Sequence, residues 1–593
     1  MQFLINIIAC FVIAITLLFV GLLISYAFFI QIANTPDLTF LDYLGDFFSD
    51  DWGVSSSIYA GMPVTELVGS FRLFRTIEFL WVPILLGLIG GIALGRTSFK
   101  LRGTCKNKLI QLSIALGIAF PIFFLGMIFQ YNSFIGGETH SSLMLFLGRF
   151  PAIGFKNPGY PDPAEITGFP ILDARLSGQI YLALDRIEHL ILPTVTITPA
   201  IIAFVAWQTR SNMERKLNEK SILSHTMKTM MIFNFIMIFY SLIEITFNLH
   251  LLSEVFLRGI MNSDPNVIRG VIFVFLIFLV VLTFISSIIY SIVSFLKFDR
   301  QHATEQNSPT LQNEESNPSE DNRGTTSRRD LKKFLKYSPL YLIKNPLILL
   351  GLIVTIGIVV CAIFAGPISG FTIEEANDVF ADAWNLPSDA HVLGQTELGR
   401  DVFARVLYGL RGVLLYGFGA IIIGLAGGII FGFISSLHRY VNRAIEVILI
   451  IIFIIPIIMV IPLFINIVGH IIDVITILSG ILLIPLFTRG IANVPLSKKN
   501  ILTSLKNIVI YIPLAFGIFV LIYESFGFLG FSDSFGLGKD VDIARSHLYD
   551  APWATIWPGL FIFFIAFGSF VLHYGLKNLL VEANSFRTSI HRT

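Results

Sequence analysis

The chain has 593 residues, of which 54% are hydrophobic and only 14% are charged, and its formal net charge is +1. Soluble globular domains carry about 25% charged residues, so this composition excludes a soluble fold and predicts an all-α polytopic membrane protein. The small net charge gives no support for a nucleic-acid partner. The three cysteines show neither a disulfide framework nor metal-ligand spacing.

Apolar segments long enough to cross a bilayer recur along the whole chain, since a spanning helix needs about 20 such residues. Six are predicted in the first half, at about 4–30, 77–95, 109–131, 189–207, 229–249 and 270–296. Six more are predicted in the second half, at about 346–369, 412–437, 447–469, 471–488, 508–525 and 555–576. The first segment lacks the basic start and the cleavage site of a signal peptide, so we interpret it as a retained helix.

The loops between these segments alternate in charge. Basic residues concentrate in 96–108, 209–228, 438–443 and 489–507, and acidic residues concentrate in 37–51 and 374–382. Basic loops remain in the cytoplasm. Both termini and the centre of the chain are therefore predicted to be cytoplasmic.

A polar stretch separates the two groups of segments. Residues 301–328 read QHATEQNSPTLQNEESNPSEDNRGTTSR and contain almost no large apolar side chain. Such a segment cannot bury enough surface to offset the entropy of ordering, so we predict that it is disordered. We divide the chain into a first membrane half, 1–300, a cytoplasmic linker, 301–335, and a second membrane half, 336–593.

The two halves also resemble each other. GLIGGIALG at 87–95 and GLAGGIIFG at 424–432 are identical at six of nine positions, and each lies in the second predicted span of its half. Convergent packing of small residues is an alternative explanation. Glu244 and Glu524, both late in a fifth span, form a second match. Two six-helix halves of parallel topology predict a pseudo-twofold axis along the membrane normal, with a pathway between the halves.

A charged segment precedes the second span of the second half and reads HVLGQTELGRDVFARVLYG from His391. It resembles the pattern H-P-L-G-T-D-x-x-G-R-D-x-x-x-R-x-x-x-G of the C-type permease subunit of bacterial oligopeptide and dipeptide ABC importers. The segments 524–531 and 544–564 resemble later parts of that subunit. We expect the residues of this outer motif to have a structural role; they are His391, Gly394, Gly399, Arg400, Asp401 and Arg405. We interpret the Arg400–Asp401 pair as a structural lock on the outer surface rather than a solute contact.

The first half resembles the partner B-type subunit of the same family. PVTELVGSFRLFRTIEFLW at 63–81 and LGRFPAIGF at 147–155 match it in order, and three further segments follow at 171–197, 210–219 and 253–272. The family normally carries B and C as separate chains. The sequence therefore resembles a natural fusion of the two subunits, joined by the linker.

The resemblance implies one permease of a type I ABC importer in the bacterial cytoplasmic membrane. Two cytosolic ATPase subunits would bind ATP and Mg²⁺, and an extracellular or periplasmic solute-binding protein would deliver the solute. The chain contains no G-x-x-x-x-G-K-[ST] phosphate loop, so we expect it to bind no cofactor and to have no enzymatic activity. Peptides are the expected solutes, with nickel chelates or another small solute as the alternative.

The cytoplasmic coupling loops depart from the family pattern E-A-A-x-x-x-G. The first-half loop reads NEKSILSHTMKTMMIFNF from Asn218, and the second-half loop reads RGIANVPLSKKNILTSLKNIVIYIP from Arg489. We predict short coupling helices at 211–224, with Ser211 as the N-cap, and at 497–506. The candidate ATPase-coupling residues are Met213, Glu214, Leu217, Glu219 and Ile222 in the first half and Lys498, Ile501 and Leu505 in the second.

Two other classes of function stay open. A degenerate permease acting as a membrane sensor or scaffold would explain the altered coupling loops. A membrane enzyme is disfavoured because neither a membrane-facing Ser/His/Asp set nor an H-E-x-x-H helix occurs. We interpret the acids near membrane depth as helix-end or snorkelling groups and two histidines as interfacial; these residues are Glu244, Glu446, Asp473, Glu524, His189 and His470.

Overall fold

A computed structural model describes most of the chain, and it is helical throughout its regular structure. The described residues are 2–49, 51–57, 59–69, 71–135, 146–214, 222–306, 345–380, 383–469, 471–492, 498–532 and 534–590. Within these ranges the only β-type pairings are two isolated bridges, Val54 with Pro63 and Gln395 with Asp401. The all-α membrane class is therefore confirmed.

The first half contains eleven of the described α-helices. They are α1 (Gln2–Ala33), α2 (Phe40–Ser49), α3 (Val64–Gly69), α4 (Phe71–Lys100), α5 (Cys105–Ala119), α6 (Ile122–Phe134), α7 (Pro170–Leu176), α8 (Ile180–Glu214), α9 (Ile222–Thr246), α10 (Leu252–Met261) and α11 (Pro265–Gln306). The final helix runs into the predicted linker, so residues 301–306 continue a helix. The rest of the linker, from 307, lies outside the described residues.

The second half contains nine of the described α-helices. They are α12 (Pro346–Ile363), α13 (Ala365–Ser369), α14 (Val402–Ser435), α15 (Arg439–Ile451), α16 (Ile457–Val468), α17 (Ile471–Ala492), α18 (Lys498–Phe528), α19 (Leu537–Ala544) and α20 (Pro552–Ile590). Short 3₁₀ turns occupy Glu375–Asn377 and Arg545–His547.

Ten helices in the described part of the chain are long and apolar enough to span a membrane, or eleven if α5 and α6 form one bent span. The predicted number of twelve is not confirmed. The ninth predicted segment, 447–469, consists instead of the shorter helices α15 and α16. Pro456 explains the interruption, because proline removes a backbone donor and disfavours helix in the residue before it. The third predicted segment breaks in the same way at Pro121, where α5 and α6 meet at 83°.

Glycines in the second span of each half allow that helix to pack closely against a neighbouring helix. α4 packs on α8, and α14 packs on α17, with each glycine facing one larger residue. The first-half pairs are Gly87–Ile201, Gly91–Val205 and Gly95–Thr209, and the second-half pairs are Gly424–Leu483, Gly428–Phe487 and Gly432–Ile491. The spacing of the partners is the same in both halves. This common register favours a structural repeat over convergent use of small residues.

The two halves meet through their interrupted third spans. α5 and α6 contact α20 of the second half, and α15 and α16 contact α9 of the first. The rings of Phe123 and Phe528 stack with centroids 4.5 Å apart, and Phe28 meets Phe464 edge to face at 5.2 Å. Apolar side chains from both halves consequently form one continuous core.

The spans separate two sets of connections. We call the side with 101–104 and 436–438 the basic side, because the predicted basic loops lie there. The opposite side, with 34–63, 147–179 and 364–401, is the acidic side. Hydrogen bonds join distant parts of the chain on the acidic side, from Ser55 to Asp264 and from Trp553 to the Gln395 carbonyl.

Candidate functional site

A polar contact joins the halves at the midpoint of one candidate membrane span. Asn234 is the twelfth of the 24 residues in the span Leu223–Thr246, and it is 4% exposed. Its Nδ2 donates to the carbonyl oxygens of Met230 and Phe453, both at 3.0 Å, and its Oδ1 accepts from the Ile457 amide at 3.0 Å. A side chain of the first half thus satisfies main-chain groups at the break between α15 and α16 of the second.

Aromatic rings fill the interface around this contact. Phe204 and Phe235 stack with centroids 3.7 Å apart, and Phe239 lies 4.1 Å from Phe235. Across the interface Phe120 contacts Phe563 at 5.0 Å. Such close packing leaves little room for water between these rings.

A buried polar cluster joins the halves nearer the basic side. Arg210, late in α8, donates through Nη1 to Ser98 Oγ at 2.6 Å and to Asn107 Oδ1 at 2.8 Å. Gln111 of α5 pairs its amide with that of Asn578 in α20, with contacts of 2.7 and 3.1 Å. In the alternative orientation of the Gln111 amide, its oxygen instead accepts from Arg210 Nη1 at 2.7 Å. The cluster therefore connects the end of the fourth span to the second half.

Two glycines on the acidic side shape the segment that follows His391. Gly394 and Gly399 have φ of +76° and +70°, values that glycine adopts without strain. Asp401 caps α14 by accepting from the Ala404 amide at 2.6 Å, and its second oxygen lies 3.0 Å from His391 Nδ1. The cap fixes the entry of the chain into the second span of this half.

The arginines of this segment have different partners. Arg405 is buried and binds Asp540 through Nη2 at 2.6 Å and Nε at 3.0 Å, and it also donates to the Ser534 carbonyl. Arg400 donates to the Asp378 carbonyl at 3.3 Å rather than to the neighbouring Asp401. The structure thus brings the six motif residues into one folded unit of the second half.

Buried glutamates hold short helices on the acidic side. Glu244 accepts from the amides of Leu251, Ser253 and Glu254 at 2.7 to 2.9 Å and so caps α10. Glu524 accepts from the Gly538 amide at 2.6 Å and caps α19. Both residues are 0% exposed, so the snorkelling alternative for them is wrong. Helix N-termini attract carboxylates because their amides lack partners within the helix.

The other described polar residues singled out in the sequence lie in three different helices. Asp473 is exposed in the first turn of α17, and Glu446 is half-buried in α15. His189 is buried and places Nδ1 2.8 Å from the Asp185 carbonyl oxygen. His470 lies outside the described residues.

Comparison with known proteins shows sequence similarity to transport permeases. No family model matches the chain. It is 32% identical over 188 residues to the probable D,D-dipeptide transport system permease protein DdpB of Escherichia coli, covering 31% of this chain and 50% of that protein. It is 28% identical over 263 residues to the dipeptide transport system permease protein DppC of Alkalihalophilus pseudofirmus, covering 40% of this chain and 86% of that protein.

The chain is similar to bacterial peptide-transport permease subunits. It is also 30% identical over 190 residues to the oligopeptide transport system permease protein AppB of Bacillus subtilis. The chain spans about half the length of DdpB and of AppB. Similarity to both B-named and C-named permeases within one chain is consistent with a fusion of the two subunits.

The predicted coupling segments differ in the structure from their expected form. Ser211 lies inside α8, so a separate helix capped by Ser211 is wrong, and the fourth span simply continues to Glu214. In the second half, α18 runs from Lys498 to Phe528, so a separate helix at 497–506 is also wrong. Neither proline nor glycine interrupts residues 498–512, and helix propagation is favourable once a span has formed.

The candidate coupling residues are only partly described. Met213 lies in the last turn of α8 and is 38% exposed. Leu217 and Glu219 lie outside the described residues. For the remaining candidates the structure describes the backbone alone; these are Glu214, Ile222, Lys498, Ile501 and Leu505.

The sequence did not identify Asn234 or Arg210 as members of the interface. Each had a recognisable signal, because a lone asparagine in the apolar stretch 229–249 and an arginine at the end of a span are both costly unless paired. Their partners lie far along the chain, at 453, 457 and 98. Sequence spacing therefore gave no indication of the contacts.

Proposed function

We propose that the chain is the membrane permease of an ABC importer for peptides and that the solute passes between its two halves. The observation that carries this proposal is the similarity of one chain to B-named and C-named peptide permeases. The repeated glycine register supports it, because two equivalent halves can enclose a pathway on their common axis. A glutathione transport permease among the relatives extends the range of small peptides to be tested.

The proposed orientation follows the charge of the loops. The basic side faces the cytoplasm, with both termini and the linker, and the acidic side faces outward. The linker tethers the B-like half, 1–300, to the C-like half, 336–593. The protein then lies in the bacterial cytoplasmic membrane with its pathway perpendicular to the bilayer.

The proposed partners bind on opposite sides. Two cytosolic ATPase subunits, which hold ATP and Mg²⁺, contact the short connections between α8 and α9 and between α17 and α18. An extracellular or periplasmic solute-binding protein docks on the acidic side. Met213 supports the first contact, because an exposed apolar side chain beside the connection suits a protein interface.

Uptake of radiolabelled tri-alanine tests the proposal. Cells that lack the chain should lose ATP-dependent uptake, and the complete chain should restore it. Purification of the tagged chain should recover two ATPase subunits. Uptake of nickel chelates without uptake of tri-alanine would contradict the peptide assignment.

A second candidate function, a membrane sensor or scaffold, is favoured by one specific observation. The second-half coupling segment is continuous with the fifth span and forms no separate helix, although such a helix is what the family resemblance implies. Leu505→Pro distinguishes the candidates, because proline inside a helix costs about 3 kcal/mol or more. An importer should lose uptake with this variant but retain it with Leu505→Ala, whereas a scaffold shows no uptake with either.

A further inference from the structure

The break between α15 and α16 creates main-chain groups that need partners inside the membrane. Ile457 is the first residue of α16, so its amide has no acceptor within that helix. Unsatisfied backbone groups cost several kcal/mol in the absence of water. The carboxamide of Asn234 supplies a donor for the Phe453 carbonyl and an acceptor for the Ile457 amide. It occupies the break as a neighbouring peptide group would.

The equivalent position in the second half is not occupied by an asparagine. Asn234 lies ten residues before the capping Glu244 of the first half, and Leu514 lies ten residues before the capping Glu524 of the second. Leu514 is buried in the core cluster that also holds residues of α5 and α20, and its side chain can form no hydrogen bond. The second half therefore carries an apolar residue at the sequence position that corresponds to Asn234.

The location of the contact matters for transport. It lies at mid-depth, between the two halves, at a discontinuous helix, which is where transporters built from repeats place their pathways. Separating the halves at this level breaks two hydrogen bonds that the lipid-like interior cannot replace. Water in an open passage can replace them, as can the peptide groups of a passing solute.

We propose that Asn234, bound to Phe453 and Ile457, is the mid-depth gate of the passage, a positioning residue that holds the halves closed until water or a peptide enters between them. The proposal rests on the function proposed above. It assigns pathway-lining roles to the break at 452–456 and to the middle of α9. It also makes the gate asymmetric, because the second half contributes the main chain and the first half contributes the side chain.

The gate can be tested without transport. The full chain, with its three native cysteines replaced, carries Ile457→Cys as a reporter and is placed in lipid nanodiscs. A small water-soluble methanethiosulfonate should modify this reporter slowly when Asn234 is present. Asn234→Ala should raise the rate at least about fivefold, the effect of losing one ordinary hydrogen bond on an equilibrium. Asn234→Ser, which can satisfy one group, should give an intermediate rate.

Ser241→Ala is the matched control. Ser241 is equally buried on α9, but its hydroxyl bonds Ser253 of the same half at 2.8 Å. It should leave the reporter rate unchanged. Equal modification rates in the Asn234→Ala, Asn234→Ser and unmodified proteins would refute the gate and leave Asn234 with a packing role only. An equal rise in the rate with Ser241→Ala would refute it as well.

The uptake assay separates failure of the gate from failure of the proposed function. If the gate exists in an importer, Asn234→Ala should change tri-alanine uptake or uncouple ATP hydrolysis from it, while Ser241→Ala should do neither. Absence of uptake in the unmodified chain would refute the importer but not the accessibility result. Normal coupled uptake with Asn234→Ala would refute the gate alone.

Discussion

On the acidic side, the contribution of an ion pair to stability depends on how deeply its charges are buried. Arg405 and Asp540 are both nearly inaccessible, and their contact ties the start of α14 to α19. Removing one partner of such a pair leaves a buried charge without its counter-ion, which is far more costly than losing an exposed ion pair. The chain offers both kinds of pair within a few residues of each other.

Arg405→Ala should therefore destabilise the second half by about 3–5 kcal/mol. Arg545→Ala is the control, because Arg545 and Asp542 form a partly exposed pair at 3.2 Å whose loss should cost about 1 kcal/mol or less. Thermal unfolding of the purified variants in nanodiscs measures the difference. Equal shifts of the unfolding temperature would show that burial of the Arg405 pair is not decisive.

Two aspartates on the acidic side make the first half sensitive to acid. Burial alone would raise the pKa of Asp162, but a hydrogen bond from Lys156 and the Arg75 charge outweigh it and lower that pKa. Burial would also raise the pKa of Asp264, but hydrogen bonds to its carboxylate, the one from Ser55 first among them, outweigh burial and lower that pKa. A carboxylate with a lowered folded-state pKa contributes stability above its unfolded value, and this contribution is lost as pH falls through the folded value.

We expect the unfolding temperature of the chain to fall as the pH decreases below about 4, the ordinary range of an aspartate. Asp264→Asn should lower stability at pH 7 and flatten this dependence. Asp389→Asn, at an exposed position in the second half, should leave it unchanged. An identical pH profile for all three proteins would contradict the assignment to Asp264.

At the scale of helices, the sequence predicted the regular features well and the interruptions poorly. Length and hydropathy located the spans, because the bilayer imposes both. Hydropathy could not detect the breaks at Pro121 and Pro456, since apolar residues continue through them. The extensions of α8 and α18 were also missed, because the degenerate family pattern suggested separate coupling helices.

The glycine register makes a sharp prediction for helix packing. A Cβ built on Gly428 would lie 2.3 Å from Cβ of Phe487, whereas one on Gly357 in α12 would meet nothing within 4 Å. Gly428→Ala should thus force α14 from α17 and destabilise the chain by about 1–3 kcal/mol. Gly357→Ala should be neutral or slightly stabilising, since alanine favours helix. Unfolding temperatures compare the two, and a neutral Gly428→Ala would contradict the close packing.

At the scale of the whole molecule, the sequence established the class and the resemblance of the halves but not their contacts. The sequence similarity between 87–95 and 424–432 predicted a repeat, and the matching packing partners of their glycines support it. The interface depends on pairs separated by more than 200 residues, such as Asn234 with Phe453. Such pairings form only when both halves have folded, so local sequence patterns cannot predict them.

The orientation can be tested with two cysteines. Cys105 is exposed on the basic side, and Ser388 is exposed on the acidic side. In intact cells a membrane-impermeant thiol reagent should modify Ser388→Cys but not Cys105, with Cys10 and Cys361 replaced. Both should react in permeabilised cells. Modification of Cys105 alone in intact cells would reverse the proposed topology. Ser98 is unsuitable as a reporter because it is fully buried beside Arg210.

The continuity of α18 has a mechanical consequence. One unbroken helix leads from Lys498 on the basic side to Glu524, whose carboxylate holds α19 on the acidic side. Pro513 lies between them and is the natural pivot, because it weakens the helix at that point. At 1.5 Å per residue the two arms measure about 23 Å and about 17 Å. Bending at Pro513 would let the arm that ends at Lys498 move without carrying its whole displacement to Glu524 on the opposite face.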